Sequence, residues 1–323
     1  MSTIELVDPA LRGIALNFPT FDPAQWSVTE FRDFTIDALT QMCPPLATEP
    51  AELHVPSEGA PDVRLLVFRP AGRPESLPAI FFIHGGGFIA GSPDILKAPC
   101  QQLADEHGAV VVSVAYRLAP ETCFPGPLED CYASLDWVFR NATNLGIDVS
   151  RIIVMGPSAG GGLAAGLALL TRDRGIHRLA GQVLIYPMLD ARTGTPDAPT
   201  TNSTTGEFIW SVVSNSFGWS SMRGDATITE ERIGHFSPSL AADLSGLPPT
   251  FIAVGSLDLF LDENVDYAMR LSRAGVPIDL HVYPGGIHGF DFAPSGITES
   301  FGVELKRALS TFLTDHRRDG AVA

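Results

Sequence analysis

Basic side chains are scarce in this chain. Its 323 residues carry 21 Lys and Arg against 37 Asp and Glu, a formal net charge of −16. Phosphate backbones and anionic membrane surfaces recruit clustered cations, so nucleic-acid binding and surface adsorption to a membrane are excluded as leading functions. Cysteine is also sparse. The four residues Cys43, Cys100, Cys123 and Cys131 form no C-x-x-C pair, which removes the usual zinc and redox-dithiol motifs. Few thiols in a chain of this length fit reduced residues, and the expected compartment is cytoplasmic. No apolar run approaches the ~20 residues of a membrane span. The opening Met-Ser-Thr-Ile-Glu has neither a basic start nor a long apolar stretch, so neither a secretory leader nor a stable membrane anchor is expected. Internal repeats and low-complexity tracts are absent as well. Apolar residues make up 45% and charged residues 18%, enough to build a large core.

The apolar pattern alternates between strand-like and helix-like. Strands are expected at 63–68, 79–83, 109–115, 152–155, 183–186, 251–254 and 278–283, with His54 in an earlier one. Helices are expected at 95–107, 127–141, 261–274 and 302–316, after a helical N-terminal segment. In that segment Asp8-Pro9 reads as one helix start. Ser27 and Glu30 read as a capping box for a second helix, ended by Pro44-Pro45. Alternation of this kind predicts an α/β fold with a mostly parallel sheet flanked by helices and an active site at the carboxyl ends of the strands. Residues 191–244 interrupt the pattern with a Ser/Thr/Gly/Pro-rich stretch, capping-box spacing at Thr204–Glu207, and an aromatic patch from Phe208 to Trp219. That is too long for a plain loop and is expected to be a helical insertion. The division is then 1–50 as an N-terminal cap segment, 51–190 with 245–323 as the core, and 191–244 as the cap insertion.

One pentapeptide carries the chemistry. Gly156-Pro157-Ser158-Ala159-Gly160 lies between the apolar run Ile152–Met155 and a small-residue helical run, so a serine stands at the apex of a strand–turn–helix. A hydroxyl is a weak nucleophile and needs a base, a group that orients the base, and donors for the developing oxyanion. His288, in a glycine-rich loop after the last strand, is the candidate base. Asp258, after the strand at 251–254, is the candidate acid. Its rivals are Asp190, which also follows a strand, and Asp262 and Glu263, which are placed to start a helix. The glycine amides of His84-Gly85-Gly86-Gly87, which end a strand, and the amide of Ala159 are the candidate oxyanion donors. Gly160-x-Gly162-x-x-Ala165 only imitates a dinucleotide fingerprint, because it lacks the first-strand position and the acid ~20 residues on. Glu129-Asp130 and Glu230-Glu231 read as solvated surface carboxylates.

Taken together, five motifs resemble the bacterial hormone-sensitive-lipase-like esterases, a branch of the α/β-hydrolases. They are His84-Gly85-Gly86-Gly87-Phe88, Tyr116-Arg117-Leu118-Ala119-Pro120-Glu121, Phe124-Pro125 with Leu128-Glu129-Asp130, Gly156-x-Ser158-Ala159-Gly160-Gly161, and Ile287-His288-Gly289-Phe290. The resemblance covers Pro61 to the C-terminus. It implies an α/β-hydrolase fold with a helical cap, a Ser158/Asp258/His288 triad in that chain order, and oxyanion amides from Gly86, Gly87 and Ala159. It also implies carboxylesterase activity on short acyl chains with no metal or cofactor, and it suggests a homodimer. Phe18, Phe34, Phe88, Phe208, Trp210 and Ile287 are expected to line an apolar pocket for a small-molecule ester. A lactone, carbamate, amide or bulky macrocyclic ester is the alternative substrate, and a non-catalytic small-molecule receptor the remote one. Two departures flank the site. Pro157 stands where the family usually has an acid, and Leu261 stands where it usually has an arginine.

Overall fold

The computed structural model describes residues 2–43, 45–56, 59–72 and 76–314. Pro44 and His316 lie outside them. Eight strands form one sheet: β1 (Ala51–Val55), β2 (Val63–Phe68), β3 (Leu77–Ile83), β4 (Val110–Ala115), β5 (Ile147–Pro157), β6 (Gly181–Ile185), β7 (Thr250–Gly255) and β8 (Ile278–Tyr283), in the order β1-β2-β4-β3-β5-β6-β7-β8. β1–β2 and β2–β4 are antiparallel, and every later pairing is parallel. β5 is therefore central and starts earlier than its apolar run suggests, because Ile147 already pairs with Leu77.

Side chains alternate across the sheet and split the core in two. Ala79, Phe81 and Ile83 of β3 face one cluster, and Ile80 and Phe82 face the other. The first cluster is covered by α4 (Gly126–Arg140), α5 (Ala159–Arg174) and α8 (Leu261–Arg273), through Leu135, Leu167 and Leu271 among others. The second is covered by α1 (Arg12–Asn17), α3 (Lys97–His107) and α9 (Gly296–Leu313), through Ala15, Ala104 and Leu309. Apart from the edge strand β8, both faces of the parallel region are largely buried, which is why those strands read as near-continuous apolar runs.

The N-terminal segment and the insertion pack on one another. The Ser27/Glu30 capping box is present and opens α2 (Val28–Met42). Phe21 meets Phe31 of α2 at 4.7 Å and Phe217 of α6 (Val212–Arg223) at 5.1 Å. The Ser214 hydroxyl donates to the Phe21 carbonyl at 2.6 Å. A further helix of the insertion, α7 (Glu230–Phe236), packs on α5 of the core instead.

Two expected helix starts are corrected. Asp8-Pro9 makes a turn in which the Asp8 carboxylate accepts from the Ala10 amide, and α1 begins only at Arg12. Thr204–Glu207 stays irregular. Glu207 is taken up by the Ser2 hydroxyl and by Thr3, while Ser211 and Ser214 form the real capping box of α6. Likewise Asp130 is not a solvated carboxylate: it is 1% exposed and accepts a two-pronged bond from Arg117, at 2.8 and 2.7 Å.

Candidate active site

Ser158 sits between β5 and α5 with φ 55° and ψ −124°, a conformation L-residues avoid at a cost of about 1–3 kcal/mol. The surroundings hold it there. Its amide donates to Ile185 O at 2.8 Å, and its carbonyl accepts from Gly162 and Met188. The turn is so tight that a Cβ on Gly160 would lie 2.1 Å from Ile83 O and 2.5 Å from His84 O. Those atoms are backbone and cannot swing away. Gly160→Ala is therefore expected to lower Tm by about 5 °C or more, through overpacking of a rigid crossing. Thermal unfolding checks this, and an unchanged Tm would contradict the close approach. Pro157 fits because the alternation that points the Ser158 amide at β6 points residue 157 toward β3, whose register with β5 ends at Phe82 and Met155. No ladder hydrogen bond is lost there.

The structure brings the three candidate catalytic side chains into one line. His288 Nε2 lies 3.0 Å from Ser158 Oγ, and His288 Nδ1 lies 2.8 Å from Asp258 Oδ2. The carboxylate can only accept, so Nδ1 carries the proton and Nε2 is left as the acceptor for the serine hydroxyl. The other Asp258 oxygen accepts from the Phe260 amide at 3.0 Å. All three are buried, with Ser158 8%, His288 6% and Asp258 0% exposed. The rival acid Asp190 is held by its own neighbour Arg192 at 2.7 Å. Asp262 begins α8 as expected, but Glu263 is buried. Glu263 accepts from the amides of Leu189 and Asp190 and from the Thr193 hydroxyl, and burial drives its carboxyl well above the usual range.

Residues not singled out in the sequence frame the imidazole. Tyr186 and Phe260 meet the His288 ring edge-on at 4.7 and 5.2 Å. The Tyr186 hydroxyl donates to Asp291 Oδ1 at 2.6 Å, and burial raises that carboxyl. No periodicity marks these residues. The only available signal is position, since Tyr186 ends a strand and Asp291 follows the histidine loop.

The glycine loop lies against the elbow. A Cβ on Gly85 would come within 3.4 Å of Ser158 Cβ. Gly86 and Gly87 take φ of 120° and 61°, and the turn closes through the amides of Ile89 and Ala90 onto Gly86 O at 3.1 and 2.9 Å. Among the described residues, no acceptor takes the amides of Gly86, Gly87 or Ala159. His84 stacks on Tyr116 at 4.3 Å, and the Tyr116 hydroxyl donates to His84 O. Burial pushes the His84 imidazole down to about 4, so it is neutral and structural.

The six candidate pocket residues are not gathered on one wall. Trp210 does cover the loop: a Cβ on Gly87 would fall 2.0 Å from its Cη2. Phe208 is buried in the cluster that holds Tyr186 and Ile287, and Phe18 packs against that cluster. Phe34 pairs edge-on with Phe18 at 5.5 Å inside the N-terminal segment. Phe88 packs on Trp219 at 4.9 Å, and Ile287, beside His288, is fully buried. Among the described residues five non-glycines have positive φ, and Phe88, Ser158, Tyr186 and Ile209 belong to these same segments. Strain is thus concentrated around the serine.

Comparison with known proteins identifies the fold and the family. The family signature described as the alpha/beta hydrolase fold matches residues 80–292. The carboxylesterase NlhH of Mycobacterium tuberculosis is 35% identical over 94% of this chain and 96% of its own. A solved bacterial heroin esterase superposes with a TM-score of 0.87 at 35% identity, covering 97% of this chain and all (100%) of that one. Esterase LipW from Mycobacterium marinum follows with a TM-score of 0.81 at 31% identity, over 97% and 98% of the two chains. With the serine elbow, the histidine loop and the glycine loop at the carboxyl ends of one sheet, the chain belongs to the α/β-hydrolase fold family, in its hormone-sensitive-lipase-like esterase branch.

Proposed function

We infer that the protein is a serine carboxylesterase acting on small apolar esters. The observation that carries this is the unbroken Ser158–His288–Asp258 chain of hydrogen bonds at 3.0 and 2.8 Å beside three unclaimed amides. His288 Nε2 takes the Ser158 proton as Oγ attacks the ester carbonyl. The amides of Gly86, Gly87 and Ala159 receive the oxyanion, with Ala159 adding the positive end of α5. Asp258 steadies the imidazolium. His288 then gives its proton to the leaving alcohol, and an incoming water, deprotonated by the same nitrogen, releases the acid and restores Ser158. The relatives named above bear esterase names, which supports ester over amide or carbamate as the bond cleaved. Hydrolysis of nitrophenyl acetate, butyrate and octanoate, compared with lactones and carbamates, tests the assignment. Turnover of esters is expected, and turnover of carbamates or lactones alone would favour the alternative.

Trp210 is the proposed limit on acyl length. Its indole lies across Gly87, and its Nε1 donates to Asn215 Oδ1 at 3.4 Å. Trp210→Ala is expected to raise the octanoate-to-acetate ratio of kcat/KM by about tenfold, the scale of a few added methylenes in an apolar pocket. An unchanged ratio would place the acyl chain elsewhere. No helix among the described residues is long and apolar enough to cross a membrane. The four cysteines are all free thiols, which fits the proposed cytoplasmic setting. Association into a homodimer belongs to the same proposal and is read by analytical ultracentrifugation.

A further inference from the structure

Arg32 lies on α2, in the N-terminal segment, yet most of its hydrogen bonds reach backbone and side chain beneath the glycine loop. Its Nε donates to Ile89 O at 2.6 Å and its Nη2 to Ala119 O at 2.9 Å. The same guanidinium grips both oxygens of Glu121, at 2.8 and 2.7 Å. These acceptors belong to the two segments that shape the oxyanion turn. The Ile89 amide closes the turn on Gly86 O at 3.1 Å, while the Ile89 carbonyl is the atom Arg32 holds. The Ala119 amide donates to Phe88 O at 3.0 Å, while the Ala119 carbonyl is again held by Arg32. One planar fork therefore ties Ile89, just after Gly86 and Gly87, to the Ala119–Glu121 segment that bonds Phe88. A lysine has three N–H donors on one atom and lacks the width of the guanidinium, so it cannot reproduce the bonds that Nε, Nη1 and Nη2 make to acceptors on two segments. Glu121 anchors the fork, and the same contact holds its carboxyl down at about 2.

We propose that Arg32 is a positioning residue for the oxyanion hole: it fixes the turn carrying the Gly86 and Gly87 amides and so couples the N-terminal segment to transition-state stabilisation. This rests on the serine-esterase function given above. Because the oxyanion forms only after attack, a misplaced turn lowers kcat and leaves ground-state binding almost untouched.

The test measures kcat and KM on nitrophenyl butyrate for Arg32→Ala, Arg32→Lys and Glu121→Gln. It also measures the inhibition constant of an alkyl trifluoromethyl ketone, whose serine adduct places an oxyanion in the same hole. Arg32→Ala is expected to lose about 10- to 100-fold in kcat with KM within about twofold, and to bind the ketone weaker by a similar factor. Arg32→Lys is expected to recover part of both losses, and Glu121→Gln to lose less than Arg32→Ala. Should Arg32→Ala fail to fold, by circular dichroism and Tm, the lysine and Glu121 variants carry the same comparison. Wild-type kcat and ketone affinity in folded Arg32 variants would overturn the proposal, as would a raised KM at unchanged kcat. Ser158→Ala run alongside separates the two levels. Turnover retained there overturns the esterase assignment itself, whereas an inactive Ser158→Ala beside a wild-type-like Arg32→Ala overturns only the positioning role.

Discussion

Ser158→Ala is expected to lower kcat by about 10⁴- to 10⁶-fold while leaving the fold unchanged. The size of the loss follows from what the hydroxyl does. Without Oγ there is no acyl-enzyme, and His288 Nε2, 3.0 Å from the missing atom, has no proton to take from the protein. Residual rate can come only from the oxyanion amides and from water entering the site. The fold is expected to survive because the serine's positive φ is fixed by backbone bonds to Ile185, Gly162 and Met188, none of which uses the side chain. Alanine keeps the same steric class as serine at that backbone. Near-wild-type turnover, with circular dichroism and Tm preserved, would remove Ser158 from the chemistry.

The second large effect separates Asp258 from Asp190, the rival acid that also follows a strand. Asp258→Asn is expected to lower kcat by about 10³- to 10⁴-fold, because an amide can donate to Nδ1 and turn the imidazole to the tautomer whose Nε2 bears the proton. In that state the ring cannot accept from Ser158. Asp190 is buried and accepts from the Arg192 amide, Nε and Nη2 at 2.9, 3.0 and 2.7 Å, and not from His288, so folded Asp190→Asn is expected to lose stability but to keep kcat within a few-fold of wild type. The paired measurement is kcat for both variants on one ester. Equal losses, or a larger one for Asp190→Asn, would contradict the assignment of Asp258.

Most of the candidate site is local enough to be legible in the sequence. A nucleophile elbow, a strand-end glycine loop and a strand-end histidine loop each announce themselves within a few residues, through the tight backbone crossings they need. Gly160 is glycine because Ile83 O occupies the place of its Cβ. The parallel sheet was legible for a similar reason, since strands buried on both faces are apolar throughout. What could not be read depends on partners far along the chain. Tyr186 and Asp291 are 105 residues apart and meet only in the folded molecule. Asp130 looks like a surface carboxylate until it is seen to be buried beneath the partly exposed Arg117 that grips it. Arg32 sits on a helix whose own pattern says nothing of Ile89 or Ala119. The pocket was the least legible part, because an aromatic run such as Phe208–Trp219 serves a core as readily as a wall. Trp210 covers Gly87, and Phe88 and Ile287, next to the motif glycine and histidine, are buried.

The most direct measurement is peptide mapping by mass spectrometry after reaction of the folded enzyme with a fluorophosphonate. A single adduct on the Ser158 peptide, formed in step with loss of esterase activity and absent from His288→Ala, is the predicted result. Inactivation with the label on any other residue, or full activity after Ser158 has been labelled, would contradict the account.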